Sequence, residues 1–243
     1  MEKSKKDSKK RSDFSKKGYK RQLDKKSVYS KRSVPEEPKK HTRDIGRVNL
    51  KAGTLLSPLP AVMVSVGDME NSNIITIGWT GILSSDPPRT YISVRPQRYS
   101  HKILLEKREF VINLTTESLG YATDFAGVFT GSKVDKFEKL SLTKKESKCV
   151  GAPTVNESPL SLECRVFDIV NMGTHDVFFA DIVNVSVRED LMSDSGRIML
   201  DKAGLLAYLH GEYYSLGKKI GSFGFSAAKG KKRKNKTSGG KDK

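Results

Sequence analysis

Residues 160–187 constrain the fold most. Two strand-forming runs, LSLECRVFDIVNMG and THDVFFADIVNVSV, are joined tightly at Met172-Gly173-Thr174. A connection that short pairs its strands antiparallel, because parallel neighbours need a crossover of about a dozen residues or more. Further strands precede them. LLSPLPAVMVSVGDMENSNIITIGW reads as two strands joined by the polar turn GDMENSN, and EFVINLTT as a strand with a buried centre. TESLGYATDFAG has the cap and apolar spacing of a helix, and GVFTGSKVDKFEKLSL is a looser region holding one short helical turn. LLAYLHGEYYSLG reads as a strand or loop that ends the barrel. Strands dominate and short helices interrupt them, so the expected class is mainly β, a small closed or half-closed antiparallel barrel.

The stretch from Asn73 to His101 concentrates the chemistry. Ile74, Ile75 and Ile77, with Thr76 and Thr80, are β-formers that end at Trp79, the single tryptophan, and Pro87-Pro88 closes a loop before TYISV. The segment reads strand, loop, strand. The second strand runs into Arg95, Pro96, Arg98 and Ser100, and HKILLEKR then reads as a short helix with Ser100 as its N-cap. A helix start beside two guanidinium groups suits a phosphate, since unpaired N–H groups and planar bidentate donors converge there. The same pattern also describes two solvated arginines and an ordinary cap, and the residues by themselves leave both readings open.

Six pieces in order carry a family resemblance: NSNIITIGWTGILSSDPP, TYISVRPQRYSHKIL, EFVINLTT, GSKVDKFEKLSLT, LECRVFDIVNMGTHDVFFADIVNV and LAYLHGEYYSLGK. From about Thr54 to Gly217 the sequence is similar to the flavin reductase-like family, the FMN-binding split barrels, and most of all to its flavoredoxin-like branch. The resemblance implies a split barrel, an antiparallel Greek-key-like barrel with short helices. It also implies FMN as cofactor, NADH or NADPH as hydride donor, and a homodimer with the flavin near the subunit interface. The electrons would go to a partner oxygenase or an electron-acceptor protein. For the phosphate it points to Arg95, Arg98, Ser100 and Lys136, and for the ring to Thr76, Trp79, Thr80 and Asn113. His175 falls where the family has a Gly-Asp-His piece tied to the nicotinamide. Here that piece reads Gly173-Thr174-His175, and with Thr in place of Asp the imidazole is expected to titrate near its ordinary value of about 6.5.

Plainer roles stand beside these. Lys136 reads equally as a solvated helix charge, Trp79 as a core residue, Asn113 as a partner for a neighbouring backbone group, and His175 as a turn residue. Tyr208, Tyr213 and Tyr214 read as core or interface. A flavin accepts hydride by itself, so no protein acid or base is required. His41, His101 and His210 lack metal-ligand spacing, and no metal site is expected.

Charge divides the chain. Residues 1–43 carry 17 Lys+Arg against 6 Asp+Glu, residues 218–243 carry 10 against 1, and residues 44–217 carry 18 against 21. The net charge of +17 therefore lies in the two ends. Without apolar periodicity such segments cannot offset their ordering entropy, so 1–46 and 221–243 are expected to be disordered basic tails around a domain at 47–220. Weak nonspecific polyanion binding through the tails follows, and the alternative function is a nucleic-acid-associated protein that uses the barrel as scaffold. Few aromatics (Phe14, Tyr19, Tyr29, Phe223, Phe225) interleave the charges for base stacking. The sequence has neither the pattern of a secretory signal nor an apolar run of membrane-spanning length, and Cys149 and Cys164 form no CxxC pair. A cytoplasmic protein with reduced thiols is expected.

Overall fold

The structure, a computed structural model, describes residues 45–227. The expected basic tails, 1–46 and 221–243, lie for the most part outside the described residues, as does His41. Leu50–Lys218 forms one compact unit. Among the described residues no helix is long and apolar enough to cross a membrane.

The unit is built on a seven-stranded antiparallel sheet. Its strands are β1 (Val62–Gly67), β2 (Ser72–Ile77), β3 (Thr80–Ser85), β4 (Pro88–Val94), β5 (Glu109–Leu114), β8 (Leu160–Asn171) and β9 (Asp176–Val187). They lie in the order β2-β1-β5-β8-β9-β4-β3. Smaller pieces complete the unit: β6 (Lys144–Lys145), β7 (Thr154–Val155), the hairpin β10 (Leu206–Leu209) and β11 (Glu212–Ser215), and the helices α1 (Tyr99–Lys107), α2 (Gly120–Val128) and α3 (Lys136–Lys139). The mainly β split barrel expected from the sequence is the fold observed.

The long hairpin β8-β9 sits at the centre and joins two flanking sets, β2-β1-β5 and β4-β3. Its turn closes through Met172 N donating to His175 O at 2.8 Å, with Gly173 at φ 84°, a conformation glycine adopts without penalty. Register shifts at Glu163/Cys164 and at Val166/Asp168 bend the pair, which lets a sheet of 12-residue strands curl. Alternation then sorts side chains to two faces. Val62, Val64, Val66, Ile75, Ile77, Ile92, Val94, Phe110, Ile112, Cys164, Phe178 and Ala180 fill the barrel, and Leu104 of α1 enters the same core.

Outside the barrel, Met63 and Ile74 pack beneath Ala122 and Ala126 of α2 and Phe137 of α3, so β1 is buried on both faces. The outer face of β5 is covered by Val150 and Ala152 of a loop. Buried Glu163 ties that loop down, accepting from Lys148 N at 3.0 Å and Cys149 N at 2.6 Å.

Two elements differ from the sequence reading. The supposed loop before Pro87-Pro88 is strand β3, whose run TGILSS shows no polar/apolar alternation because it edges the sheet. LLAYLHGEYYSLG is not a barrel strand. It folds as the separate hairpin β10-β11, turned at His210 (φ 47°) and Gly211 (φ 95°), and is tied to the barrel by paired backbone bonds between Leu59 and Tyr208.

Phe178 is fully buried in the barrel core. Phe178→Ala is expected to lower unfolding free energy by about 3–5 kcal/mol, the usual cost of a large core truncation, read as a fall in urea midpoint at unchanged slope.

Candidate functional site

A cleft of about 510 Å³ opens along the seam between β2 and β4. Thr76, Ile77, Gly78 and Trp79 form one wall, Ser93, Val94, Arg95 and Arg98 another, and His175 comes from the β8-β9 turn. Asp124, Gly127 and Val128 of α2 and Tyr208 and Tyr213 of the β10-β11 hairpin complete it. A smaller cavity of about 80 Å³ shares Ile75 and Arg98 with the cleft, and its walls include Asn73, Ser100, Thr130, Gly131 and Lys136.

The small cavity is cationic by construction. Asp135 caps α3, its Oδ1 accepting from Phe137 N at 2.9 Å and Glu138 N at 3.1 Å, and this fixes Lys136 at the first helical position. The Lys136 side chain is buried, and Nζ donates to Ile74 O and Ala126 O, both at 2.7 Å. An ammonium has three N–H donors. The third remains for the small cavity that Lys136 lines. Burial first, and then the nearby Arg98 guanidinium, push this amine down to about 8. Arg98 in turn donates from Nη1 to Gly127 O at 3.0 Å. Ala126 and Gly127 stand in the last turn of α2, where carbonyls lack helical partners and the dipole is negative, so one helix end holds both cations.

Ser100 is not the helix cap. Arg98 occupies that position, without a side-chain cap bond, and Ser100 lies inside the first turn, wholly buried. Its Oγ accepts from Asn73 Nδ2 at 2.7 Å. The Ser100 N-cap expectation misplaced the helix start because the chain before it, Arg95 to Arg98, already turns through a bond from Arg98 N to Arg95 O.

At the other end of the cleft, the His175 ring packs on Trp79 with centroids 4.7 Å apart, and Nδ1 lies 2.9 Å from Thr174 Oγ1. Partial burial, and then the charge of Arg95, lower its pKa below the ordinary histidine value. The expectation of an unshifted imidazole overlooked Arg95, which is 80 residues away in sequence. Trp79 is not core: it remains 37% exposed and lines the cleft. Tyr208 and Tyr213 face each other at 5.4 Å, and Tyr213 Oη donates to Asp124 Oδ1 at 3.3 Å. Burial and that carboxylate push the Tyr213 phenol up to about 12, so it stays a donor. Reading the tyrosines as core or interface missed this placement. The His210-Gly211 turn is the signal that pairs positions 208 and 213 across a hairpin.

Thus Thr76, Trp79, Arg95, Arg98 and His175 line the cleft, and Ser100 and Lys136 line the cavity beside it. Two candidates lie elsewhere. Thr80 Oγ1 donates to Tyr91 O at 2.6 Å within the β3-β4 pair. Asn113 is wholly buried, where Nδ2 donates to Met63 O and Ser65 Oγ while Oδ1 accepts from Val155 N and Ser161 Oγ. Its amide is satisfied by protein groups, the plainer of its two readings. Asn73, Asp124, Gly127, Tyr208 and Tyr213 are lining residues that the sequence reading did not assign to the site. His101, buried, pairs through Nε2 with Asp176 Oδ2 at 2.7 Å and tethers α1 to β9. Among the described residues no group of His, Cys, Asp and Glu is disposed to hold a metal ion.

The model of the flavin reductase like domain matches residues 55–217, which shows that the chain belongs to that family and, with it, to the flavin-related oxidoreductases. An uncharacterized protein of Archaeoglobus fulgidus is 37% identical over 131 residues, covering 54% of this chain and 73% of that one. The FMN reductase (NADH) RutF of Pseudomonas syringae pv. syringae is 23% identical over 103 residues, 42% of this chain and 56% of its own length. Among solved structures, the flavoredoxin of Desulfovibrio vulgaris (Miyazaki F) superposes with a TM-score of 0.70 at 29% identity, covering 76% of this chain and all of that one.

Asn113→Ala is expected to destabilise the barrel by about 1–3 kcal/mol for each buried group left unpaired. Flavin affinity of the folded variant should equal that of the wild type, checked by thermal melts and flavin titration on the same samples.

Proposed function

We propose that the protein is an NAD(P)H-dependent FMN oxidoreductase, with the phosphate of FMN held in the small cavity and its ring in the larger cleft. The observation that carries this reading is the junction of the two spaces at Arg98, which joins a cleft of ligand size, within the usual range of about 300–1,000 Å³, to a cationic cavity. The residues fit the group. Lys136 retains a donor, Arg98 offers further guanidinium N–H groups, and the first turn of α1 adds backbone donors suited to a phosphate. FMN, when bound, supplies acceptance of a hydride and its release as electrons singly or in pairs.

The remaining work falls to the protein. Trp79 and Tyr208 give the cleft flat apolar walls, and Tyr213, whose one hydrogen goes to Asp124, and the Asp124 carboxylate offer acceptor oxygens side by side. His175 is uncharged at neutral pH and can accept from, or donate to, the carboxamide of a nicotinamide. Electrons then pass to an acceptor protein or to an oxygenase. Flavin retained through dialysis marks the first route, and FMN acting as a saturable substrate marks the second.

An absorption spectrum with added FMN tests the reading, and a protein that takes up no flavin overturns it. Arg98→Ala should weaken FMN binding by about 1.5–3 kcal/mol, a charge-assisted hydrogen bond, or one to two orders of magnitude in Kd, while riboflavin binding changes little. FMN affinity should also depend on pH. Below about 8 Lys136 is an ammonium and the phosphate gains its charge; as pH rises through 8 the amine becomes neutral and the FMN Kd increases, whereas riboflavin shows no such limb. Isothermal titration at pH 7 and pH 9 reads both.

His175→Ala should raise KM for the reduced nicotinamide and leave the FMN Kd unchanged, because loss of ground-state contact appears in KM. Any titration of reduction rate that disappears with the imidazole should lie below the ordinary histidine value of about 6.5, since burial and Arg95 lower it. Stopped-flow traces that are the same in variant and wild type would return His175 to a turn role.

A further inference from the structure

We propose that Asp176 and His101 are positioning residues for His175: the hydrogen bond between them anchors the β8-β9 turn to α1 and thereby holds the His175 ring on Trp79 in the cleft. The consequence for the reaction rests on the nicotinamide reading of the cleft, whereas the positioning itself does not.

His175 precedes β9 and Asp176 begins it. Register sets Asp176 opposite Val94 of β4, and Ser93 N donates to Trp79 O, so neighbouring segments bring Trp79, Arg95 and His175 to one end of the sheet. Residues 171–174 are exposed, and the bond from Met172 N to His175 O closes the turn without fastening it to the rest of the fold. Asp176 supplies an attachment. Its Oδ2 accepts from His101 Nε2 at 2.7 Å and its Oδ1 from Asn171 Nδ2 at 2.6 Å, while Asn171 Oδ1 accepts from Gly173 N at 3.1 Å. The bond from His101, and then that from Asn171, hold the Asp176 pKa below the ordinary carboxylate range. A carboxylate only accepts and a backbone N–H only donates, which fixes the direction of all three bonds. His101 is held in turn. Its ring meets Phe178 edge-on with centroids 5.5 Å apart, and Phe178 is fully buried in the barrel core. Asp176 and Phe178 stand two apart on β9 and so share a face. The bonded side chains of His101 and Asp176 are only 8% and 15% exposed, which limits competition from water.

Neither His101 nor Asp176 lines the cleft or the small cavity, so the pair acts through the backbone of the turn. Both causes of the lowered His175 pKa, burial and the charge of Arg95, depend on where the ring lies. A ring released from Trp79 would lose both, and its pKa would rise toward about 6.5. Loss of the Asp176 charge alone would act in the opposite direction, because a nearby anion favours the imidazolium. The sign of the shift therefore separates position from charge.

The test uses full-length protein with isotope-labelled histidine. His175→Ala identifies the His175 signal among the four histidines. Asp176→Ala should then raise the pKa of that signal toward about 6.5. Trp79 is the single tryptophan, so quenching of its fluorescence by acrylamide is a second readout, and Asp176→Ala should increase it as much as His175→Ala does. His101→Leu breaks the same bond from the helix side and keeps the quenching test open if Asp176→Ala folds poorly, whereas His101→Gln, which retains an N–H for the carboxylate, should quench as the wild type does. In turnover, Asp176→Ala should raise KM for the reduced nicotinamide about threefold to tenfold, the loss of one ordinary hydrogen bond. It should leave the FMN Kd unchanged and add nothing in a His175→Ala background. A His175 pKa that stays or falls in Asp176→Ala would overturn the proposal, and so would Trp79 quenching that neither Asp176→Ala nor His101→Leu moves. A KM that His175→Ala itself leaves unmoved would instead remove the nicotinamide reading, while the two spectroscopic readouts still decide the positioning.

Discussion

The architecture depends on the two residues Gly78 and Trp79. They join β2 and β3, which stand at opposite ends of the sheet order. Laid flat, seven strands about 4.8 Å apart would separate those ends by roughly 29 Å, yet three Cα steps from Ile77 to Thr80 reach at most about 11 Å. The sheet must therefore curl until its edges nearly meet. Among the described residues hydrogen bonding does not close the gap between β2 and β3, and the bond from Ser93 N to Trp79 O at 3.0 Å only extends the β3-β4 ladder by one pair. The split so formed is where the cleft lies, with Ile77, Gly78 and Trp79 on one lip and Ser93 and Val94 on the other. Site and fold thus have one cause.

A second constraint is electrostatic. Two cations close enough for Arg98 to lower the pKa of Lys136 repel each other, and burying an ammonium carries a further cost. The fold meets part of that cost with carbonyls. Ile74 O comes from a strand and Ala126 O from the last turn of α2, while the next carbonyl, Gly127 O, takes Arg98. The close fit of α2 on β2, where a Cβ at Gly127 would lie 3.2 Å from Thr76 Cβ, brings that helix end within reach of both side chains. A cationic pair arranged in this way is poised for an anion, since an anion relieves the repulsion that the carbonyls only moderate.

Much of this was legible in the sequence for physical reasons. The tight turn at Gly173, the two β-forming runs joined by the polar turn GDMENSN, and the short helical turn in GVFTGSKVDKFEKLSL are local, and local rules read them correctly. The Asn73–His101 stretch held most of the lining residues because a strand edge, a turn and a helix start succeed one another there. What was not legible came from distant pairings. Asn113 reads the same whether its amide meets a ligand or Met63, Ser65, Val155 and Ser161, and only the register of β1 with β5 and the approach of the 153–161 segment decide it. Arg95 shifts His175, and Asp124 meets Tyr213, across 80 and 89 residues of chain. β3 escaped notice because an exposed edge strand needs no apolar alternation, and its pairing with β4 supplies what its sequence does not advertise.

The two ends of the cleft differ in charge more than in shape, and this difference can orient a ligand. The small cavity gathers Lys136, Arg98 and the first turn of α1. The rest of the cleft carries one cation, Arg95, whose charge together with partial burial lowers the pKa of His175, and one carboxylate, Asp124, beside which Tyr213 stays protonated. A molecule with a dianionic end and a flat neutral ring would enter phosphate first, since the small cavity offers Lys136 and Arg98 with no carboxylate in its lining, whereas the reverse pose sets the dianion where Arg95 is offset by Asp124. At a few ångströms the Coulomb difference between such poses is several kcal/mol at an effective dielectric of about 20. That exceeds what apolar contact with Trp79 or Tyr208 could recover by reversing the ring, each such wall being worth about 0.5–1.5 kcal/mol beyond its buried area. Orientation in this cleft is therefore set by where the fold puts its charges, and the aromatic walls act on a ring whose direction is already fixed.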